Sequence, residues 1–493
     1  MKKTAKKLLA LVLCLCMICS IVACGNAPAA EEPKATEAPA QTQAAPQEAP
    51  AAAENTDGYQ VNQELLASEG TTLTLYGPGV FTETGADGSI DLISGVEKIG
   101  YNVLIERWNE LYPNCELVIE ATSWDNWMNG TTAACLTGEV DILAHGATMV
   151  DLNADLTPFF EKDPEFASKI YQVASRLTTD DMAHFKVAGV DMTIFPAGVW
   201  LDKDKFDHYG VEIPSTDWTY SDMLAIAEKL TGTDPVTGEQ TYGIQHDSAL
   251  GVNLWFNHVV WANSLGANIF TYKTNLSDAV VDYTCAESVQ AFQMVADLAK
   301  FASPEAREGV GISIVFDGTN DWAMLMNEGI TSDWVNIVAA GNEDRYLFLP
   351  FPSATAGRYE GTPSPYSSGH NLAIYKDSPD KEWAWEFIKF MCTDPVALEW
   401  VLAAGYIPNT VKGLDYAEGW LGDQLKESLS FILSNVPENY NNASNYAFNN
   451  ISFGPTTANL TTAVDNVING YMTPEEAAQF MQESVDEYLA SVR

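Results

Sequence analysis

Residues 71–79 have the sequence TTLTLYGPG, a β-rich run that ends in a sharp Gly-Pro-Gly loop. The pattern predicts a β-strand followed by a turn. Leu104, Trp108 and Leu111 then recur at helical spacing, and Pro113 ends the predicted helix. The order continues with a predicted strand at 117–119, a helix at 127–136 and a strand at 142–144. This βαβαβ order predicts an α/β fold with an open, mostly parallel sheet and helices on its faces.

Similar signals predict a second unit and a helical C-terminal third. Ser378-Pro379 predicts a helix start with proline at its first position, and Thr473-Pro474-Glu475-Glu476 has the spacing of a capping box. Residues 234–239 are predicted to form a hairpin turn. The other predicted elements are strands at 187–194 and 242–245 and helices at 218–230, 253–265 and 281–301.

The N-terminus has the layout of an export signal. Lys2, Lys3, Lys6 and Lys7 precede an apolar run over 8–23 that ends in small residues. A membrane-spanning helix is the alternative, but the run is short for a bilayer. Residues 1–23 are therefore predicted to be a signal peptide.

The residues that follow predict a lipid anchor and a tether. The sequence SIVACG at 20–25 resembles the lipobox of bacterial lipoproteins, and this resemblance implies that Cys24 carries the lipid. Residues 25–55 consist largely of Ala, Pro, Glu, Gln and Thr and contain no Leu, Ile, Val or aromatic residue. Such a segment cannot bury enough apolar surface to fold, so 24–58 is predicted to be a lipidated, disordered tether.

Charge and cysteine content exclude several classes of protein. The formal net charge of −42 disfavours binding to nucleic acid or to anionic membranes. Cys115, Cys135, Cys285 and Cys392 are widely spaced and include no CxxC pair, so no zinc site is predicted. Buried thiols are expected there, with a Cys115–Cys135 disulfide as the alternative.

Four stretches follow one another along the chain: 134–157 with a DIL strand and a DLTP turn, 200–230, 316–326 with an A-M helix, and 349–408 with a proline-rich crossover. In this order they resemble the extracellular solute-binding proteins of ABC importers, in the maltose-binding-protein-like group (family 1). Residues 367–370, SSGH, depart from the adjacent glycines that the family usually has there.

The resemblance implies a two-lobed, periplasmic-binding-protein-like (flytrap) fold of the class with two or more crossover strands. Lobe one is predicted at 71–187 with 367–412, and lobe two at 188–366 with 413–493.

Candidate ligand contacts in lobe one follow the ends of predicted strands, where α/β sheets collect ligands. The loops that begin at Gly77, Ser123 and His145 are expected to face a ligand. A sugar needs aromatic plates for its apolar ring faces and polar groups for its hydroxyls. Trp124 and Asp125 offer both, and His145 adds a donor. As alternatives, Trp124 and Trp127 belong to the core, and His145 caps a loop.

Further candidates come from position within the family. His246 and Asp247 end a predicted lobe-two strand before the helix that carries Trp255, and Asn327 and Glu328 follow the A-M helix. Tyr366 and His370 flank the second crossover. Trp261 and Trp322 are interpreted as core residues.

The function predicted from these features is capture of a small solute, a sugar or oligosaccharide, by lobe closure, and its delivery to the permease subunits of an ABC importer. No GxSxG, P-loop, HExxH or GxGxxG motif occurs. The family resemblance implies a binding protein rather than an enzyme, and no cofactor or metal is expected. A monomer outside the cytoplasm is expected, anchored to the cell membrane. A secreted carbohydrate-active enzyme and a ligand-sensing module for a membrane sensor are the alternatives.

Overall fold

Short strands alternate with helices along most of the chain. The computed structural model describes residues 58–90, 97–125, 127–170, 173–178, 185–196, 198–246, 254–267, 269–271, 280–307, 316–327, 330–354, 367–411, 413, 422, 425–430 and 457–493. The strands are β1 Thr71–Gly77, β2 Ser89–Ile90, β3 Glu97–Lys98, β4 Cys115–Ala121, β5 Ile142–Ala144, β6 Val173–Thr178, β7 Phe185–Asp191, β8 Thr193–Pro196, β9 Gly198–Asp202, β10 Gly232–Thr233, β11 Gln240–Thr241, β12 Gln245–His246, β13 Phe270–Thr271, β14 Val280–Val281, β15 Met324–Asn327, β16 Tyr346–Pro350, β17 Ser367–Ser368, β18 Asn371–Ile374 and β19 Ile407–Pro408.

The helices pack around these strands. They are α1 Gln63–Leu66, α2 Val80–Thr84, α3 Asn102–Leu111, α4 Trp127–Thr137, α5 Thr157–Lys162, α6 Pro164–Ala167, α7 Lys203–Tyr209, α8 Tyr220–Lys229, α9 Leu254–Leu265, α10 Ala286–Ala299, α11 Pro304–Arg307, α12 Ile330–Ala340, α13 Lys381–Thr393, α14 Pro395–Ala403, α15 Thr457–Ile468 and α16 Pro474–Val492.

The first sheet has six strands in the order β4-β1-β5-β18-β7-β6. Its strands β4, β1 and β5 are parallel, with Leu75 paired to Ile119 on one side and to Ile142 on the other, which confirms the predicted βαβαβ unit. Strand β18 is antiparallel to both β5 and β7, and β6 is antiparallel to β7, so the complete sheet is mixed. One hydrophobic core covers this sheet and contains residues from 73–192 and 372–404.

The second sheet has four strands in the order β12-β15-β9-β16. The core beside it draws on residues from 188–354 and on the C-terminal helices α15 and α16. The predicted capping box begins α16: Thr473 accepts from the backbone of Glu476, whose side chain accepts from the backbone of Thr473. The two cores therefore contain segments that are far apart in sequence.

A three-stranded sheet, β17-β8-β19, lies between the two larger sheets along the chain. Strand β8 links β7 of the first sheet to β9 of the second, and β17 precedes β18 on the way back. Strand β19 follows α14, after which the chain reaches α15 and α16. The described chain thus passes between the two cores through paired crossover strands. The residue boundaries of the lobes stay a prediction.

Several predicted elements differ in the structure. The A-M helix is wrong: Met324–Asn327 form a strand, antiparallel to β9 and parallel to β12. A short apolar run does not distinguish strand from helix, and here pairing on both sides decides. Residues 280–281 pair with β13, so the helix predicted at 281–301 begins only at Ala286. Of the strand predicted at 242–245, only Gln245 lies in a strand, β12. Tyr242 forms an isolated bridge to Trp322.

The structure contradicts one predicted helix start, excludes one possible disulfide and confirms one predicted turn. Helix α13 begins at Lys381 with Asp380 as its N-cap, so Pro379 lies outside the helix and the predicted first position is wrong. Cys115 and Cys135 are both buried free thiols, which excludes the alternative disulfide between them. The predicted turn at 234–239 is confirmed, because Asp234 accepts from the backbone of Val236 and Thr237 between β10 and β11.

Candidate ligand-binding site

The carboxyl ends of β1, β4 and β5 meet at one edge of the six-stranded sheet. Strand β18 is antiparallel to β5, so β18 begins where β5 ends. The backbone N–H of His145 donates to the carbonyl of Asn371 over 2.6 Å, which joins the two strand ends. This edge therefore brings together the loop after β4, the residue after β5 and the residue before β18. They carry Trp124, His145 and His370, three of the predicted site residues.

The rings of these residues touch one another. The ring of Trp124 stands edge-on to the rings of His145, at 4.9 Å between centroids, and of Trp127, at 6.0 Å. The His370 ring lies 6.3 Å from Trp124, tilted by 36°, and 6.1 Å from His145. We call Trp124, Trp127, His145 and His370 the aromatic cluster.

Exposure distinguishes the two tryptophans of the aromatic cluster. Trp127 is 7% exposed, whereas Trp124 is 38% exposed. The alternative interpretation of Trp127 as a buried helix residue is thus correct, and that of Trp124 as a core residue is not. An exposed aromatic ring backed by other rings offers a surface for an apolar ligand face.

His145 has an unusual backbone conformation. Its φ of 55° and ψ of 20° lie in the left-handed region, and it is the one non-glycine residue with positive φ in the described part of the chain. Such a conformation costs about 1–3 kcal/mol and persists where surrounding contacts impose it, often at functional sites. Here it brings the imidazole within 5.5 Å of the Trp127 ring.

Both histidines of the aromatic cluster are held neutral. Burial lowers the pKa of His370 to about 3, and the charge of Lys98 contributes in the same direction. Burial also lowers the pKa of His145, with a further contribution from His370. A neutral imidazole carries one donor and one acceptor nitrogen. Hydroxyl groups also donate and accept, so the chemistry of these rings suits a hydroxylated ligand.

Asp125 lies next to Trp124 on the exposed loop that leads into α4. Its backbone N–H donates to the Ser123 hydroxyl over 3.1 Å, and that hydroxyl lies 3.4 Å from the Asp125 carboxylate. The turn is thus closed by its own side chains, and the carboxylate stays at the surface beside the aromatic cluster.

Two residues at this edge were not among the predicted ones. Glu83, on α2, accepts a hydrogen bond from the Tyr406 hydroxyl, and its other carboxylate oxygen lies 3.8 Å from His370 Nε2. The Tyr406 ring stands edge-on to His370 at 5.1 Å. Glu83 follows the Gly-Pro-Gly loop, and Tyr406 lies between Gly405 and Pro408, so each residue has glycine and proline nearby as a local signal of a turn. Their separation of 323 residues gives no signal that they meet.

The structure describes some of the predicted lobe-two residues and not others. His246 ends β12 and Asn327 ends β15, and these neighbouring strands are parallel, so the two residues lie at one edge of the four-stranded sheet. Trp255 lies in the first turn of α9. Asp247, Glu328 and Tyr366 lie outside the described residues, as does Cys24.

The described residues contain neither a metal-binding cluster nor a membrane-spanning helix. Among the described residues, no group of three or more His, Cys, Asp or Glu side chains is placed to hold a metal ion. No helix in the described ranges is both long and apolar enough to cross a bilayer.

The architecture, with two sheet-based cores joined by crossover strands, defines a two-lobed binding protein. The family model for bacterial extracellular solute-binding proteins matches residues 94–397, more than half of the 493-residue chain. The chain belongs to this family, which confirms the predicted family and fold class. The family consists of binding proteins rather than enzymes, in agreement with the sequence prediction.

Solved structures with the same fold include several sugar-binding proteins. The sugar-binding protein MalE from Xanthomonas citri matches with a TM-score of 0.62 and 14% identity, over 86% of this chain and 98% of that one. A solute-binding protein from Agrobacterium radiobacter K84 in complex with ribitol gives 0.58 and 18%, over 85% and 99%. An ABC substrate-binding protein from Listeria monocytogenes in complex with cycloalternan gives 0.57 and 17%, over 86% and 100%. No curated protein sequence matches significantly.

Proposed function

We propose that this protein is the extracytoplasmic receptor of an ABC importer and that it captures a sugar, an oligosaccharide or a sugar alcohol. The observation that carries the proposal is the aromatic cluster, in which an exposed Trp124 is backed by two neutral imidazoles at the edge of the sheet. An apolar sugar face packs against an aromatic ring, while the imidazole nitrogens exchange hydrogen bonds with hydroxyl groups.

Related structures support the class of ligand. Proteins of the same fold were solved with ribitol, D-mannitol and maltose, as well as cycloalternan. Their sequence identities of 17–19% indicate a shared fold, so the ligand class is carried over to this chain as a proposal.

Transport gives the two-lobed architecture a physical role. A ligand that contacts both lobes binds the closed form more tightly than the open form and so shifts the population toward closure. Permease subunits then distinguish loaded from empty receptors by shape. The predicted lobe-two contacts, including His246, Asp247 and Trp255, complete the site in this proposal.

The N-terminal features extend the proposal to location. Cleavage before Cys24, lipidation of that cysteine and a tether over 24–58 place a monomeric receptor at the outer face of the cell membrane. Two or more acyl chains give stable anchoring, whereas one gives marginal binding.

Titration calorimetry of the purified protein tests the proposed ligand class. The probes are ribitol, D-mannitol, D-tagatose and maltose, with L-glutamate and spermidine as non-carbohydrate controls. We expect saturable binding of at least one carbohydrate probe and its recovery unchanged by NMR after long incubation. Binding of only a control compound would contradict the carbohydrate class, and conversion of a probe to product would favour the alternative of an enzyme.

A further inference from the structure

Glu83 lies on a helix whose position is fixed by packing. Helix α2 begins directly after the Gly-Pro-Gly loop at the carboxyl end of β1. Its residues Val80, Phe81 and Thr84 are buried, and the Phe81 ring stacks on Trp400 at 5.1 Å with an angle of 29°. The side chain of Glu83 is 30% exposed. The helix therefore holds one carboxylate at the same edge of the sheet as the aromatic cluster, with access to solvent.

The carboxylate of Glu83 is oriented by a donor from another part of the chain. The Tyr406 hydroxyl donates to Glu83 Oε2, and Glu83 Oε1 is the oxygen that faces His370 Nε2 at 3.8 Å. A carboxylate carries about four lone-pair positions, so these contacts leave capacity for further donors.

His370 is itself confined on its other sides. The backbone N–H of His370 donates to the Thr193 hydroxyl, and its carbonyl accepts from the backbone of Met192, each over 2.8 Å. A Cβ atom on Gly79, whose φ is 115°, would come within 3.0 Å of His370 Nδ1. The imidazole thus lies between the Gly-Pro-Gly loop, the crossover strand β8 and Glu83.

The carboxylate of Glu83 favours ligand groups that donate hydrogen bonds and disfavours anions. A carboxylate accepts hydrogen bonds and does not donate them, so a ligand group that faces Glu83 must be a donor. A negatively charged ligand is repelled by Glu83 and by the surface carboxylate of Asp125. Lys98 is a described cation that influences the aromatic cluster, through its effect on the pKa of His370.

We propose that Glu83 is a ligand-contacting, specificity-determining residue whose carboxylate accepts a hydrogen bond from a hydroxyl of a neutral carbohydrate and excludes the corresponding sugar acid. This inference rests on the proposed carbohydrate function. Tyr406 is a positioning residue that acts through Glu83.

Two pairs of probes that differ by one carboxylate test the inference. They are D-mannitol with D-mannonate and maltose with maltobionate, titrated into wild type, Glu83→Gln, Tyr406→Phe and the control Glu116→Gln. Glu116 is an exposed carboxylate near the amino end of β4, at the opposite end of the strand from Trp124. Thermal melting of each variant verifies folding.

We expect wild type to prefer the neutral member of at least one pair. In Glu83→Gln the neutral-to-acid preference should fall about tenfold, because a charge-assisted hydrogen bond becomes a neutral one and the repulsion is removed. Tyr406→Phe should reduce the preference in the same direction but by less, and Glu116→Gln should leave it unchanged. If Glu83→Gln does not fold, Tyr406→Phe carries the test.

The outcomes separate the two proposals. If wild type binds neutral probes and Glu83→Gln keeps both their affinity and the preference over acids, Glu83 is not a specificity residue, while the carbohydrate function stands. A preference of wild type for the acids also overturns the role of Glu83. If wild type binds L-glutamate or spermidine and none of the carbohydrates, the proposed function fails and this inference fails with it.

Discussion

The role of a tryptophan in this protein depends on its exposure and on its contacts. Trp124 and Trp261 both lie in or near helices with aromatic neighbours. Trp261 is fully buried, with the Tyr220 ring at 5.1 Å and the Phe351 ring at 6.1 Å. Trp124 contacts the other rings of the aromatic cluster on one side and solvent on the other. The same residue type therefore stabilises the fold at one position and is available to a ligand at the other.

Replacement of Trp124 by Ala should separate binding from stability. We expect ligand affinity to fall by about 1–3 kcal/mol, because a half-buried aromatic contact is lost. Thermal melting should change little, since the ring is already partly exposed. The matched control, Trp261→Ala, should lower the free energy of unfolding by about 3–5 kcal/mol through a core cavity. Calorimetry and melting curves measure the two effects, and a large loss of stability with unchanged affinity in Trp124→Ala would remove Trp124 from the site.

At the level of elements, the segment 58–70 fastens the start of the folded body to the first core. Asn62 caps α1 by accepting from the backbone of Glu64 and Leu65. The Tyr59 hydroxyl donates to Glu386 Oε1 over 2.6 Å, and its ring stands edge-on to Phe390 at 5.8 Å. Burial and the neighbouring Glu386 raise the pKa of Tyr59 well above its usual range. The tyrosine is thus a permanent donor to a buried carboxylate on α13.

Tyr59→Phe tests how much this fastening contributes. Glu386 is 1% exposed and also contacts Tyr112, Asn62 and Lys389, so it keeps partners but loses its shortest hydrogen bond. The free energy of unfolding, measured by urea denaturation, should fall by about 1.5–3 kcal/mol. Tyr471→Phe, at a residue 77% exposed, should stay within about 0.5 kcal/mol of wild type. Equal effects of the two variants would contradict the role of Tyr59.

At the level of the whole molecule, both cores contain buried neutral histidines. His258 is fully buried in the second core, 3.2 Å from the Ser288 hydroxyl and 4.0 Å from the centroid of the Phe292 ring, and burial lowers its pKa to about 4. The buried His370 and the half-buried His145 lie at the edge of the first core. A histidine that is buried neutral binds a proton more weakly in the folded than in the unfolded chain. Its contribution to stability is complete above the usual pKa near 6.5 and is lost as the pH falls below it.

We therefore expect the protein to lose stability on mild acidification. Each of these histidines contributes up to about 1.4 kcal/mol per pH unit, and the contribution of His258 levels off near its folded-state pKa of about 4. Denaturant titrations between about pH 7 and about pH 4 measure the slope. His258→Gln should reduce the slope of unfolding free energy against pH by up to about 1.4 kcal/mol per pH unit, the value for one proton. This expectation holds whatever the effect of the substitution on absolute stability. A slope that is unchanged in His258→Gln would contradict the assignment of His258 as a neutral group in the fold.

The amino-acid sequence by itself determined the features that depend on local order. The parallel β1, β4 and β5, the helix over Asn102–Leu111 and the capping box at Thr473 follow from periodicity and from side chains that bond to nearby backbone. The sequence also predicted that Trp124 and His145 lie at the same edge of the sheet, because both follow strand ends and parallel strands present their carboxyl ends at one edge.

Only the tertiary structure decided what depends on pairing between distant segments. Residues 324–327 became a strand because β9 and β12 supply partners on both sides, and a four-residue apolar run has no periodicity of its own to oppose them. The left-handed backbone of His145 was not predicted either, because few non-glycine residues adopt that region and no local pattern marks the position. Glu83 meets Tyr406 across 323 residues because β18 and the crossover strands bring both beside His370. Contacts of this kind are set by the packing of the complete chain, and no local sequence pattern encodes them.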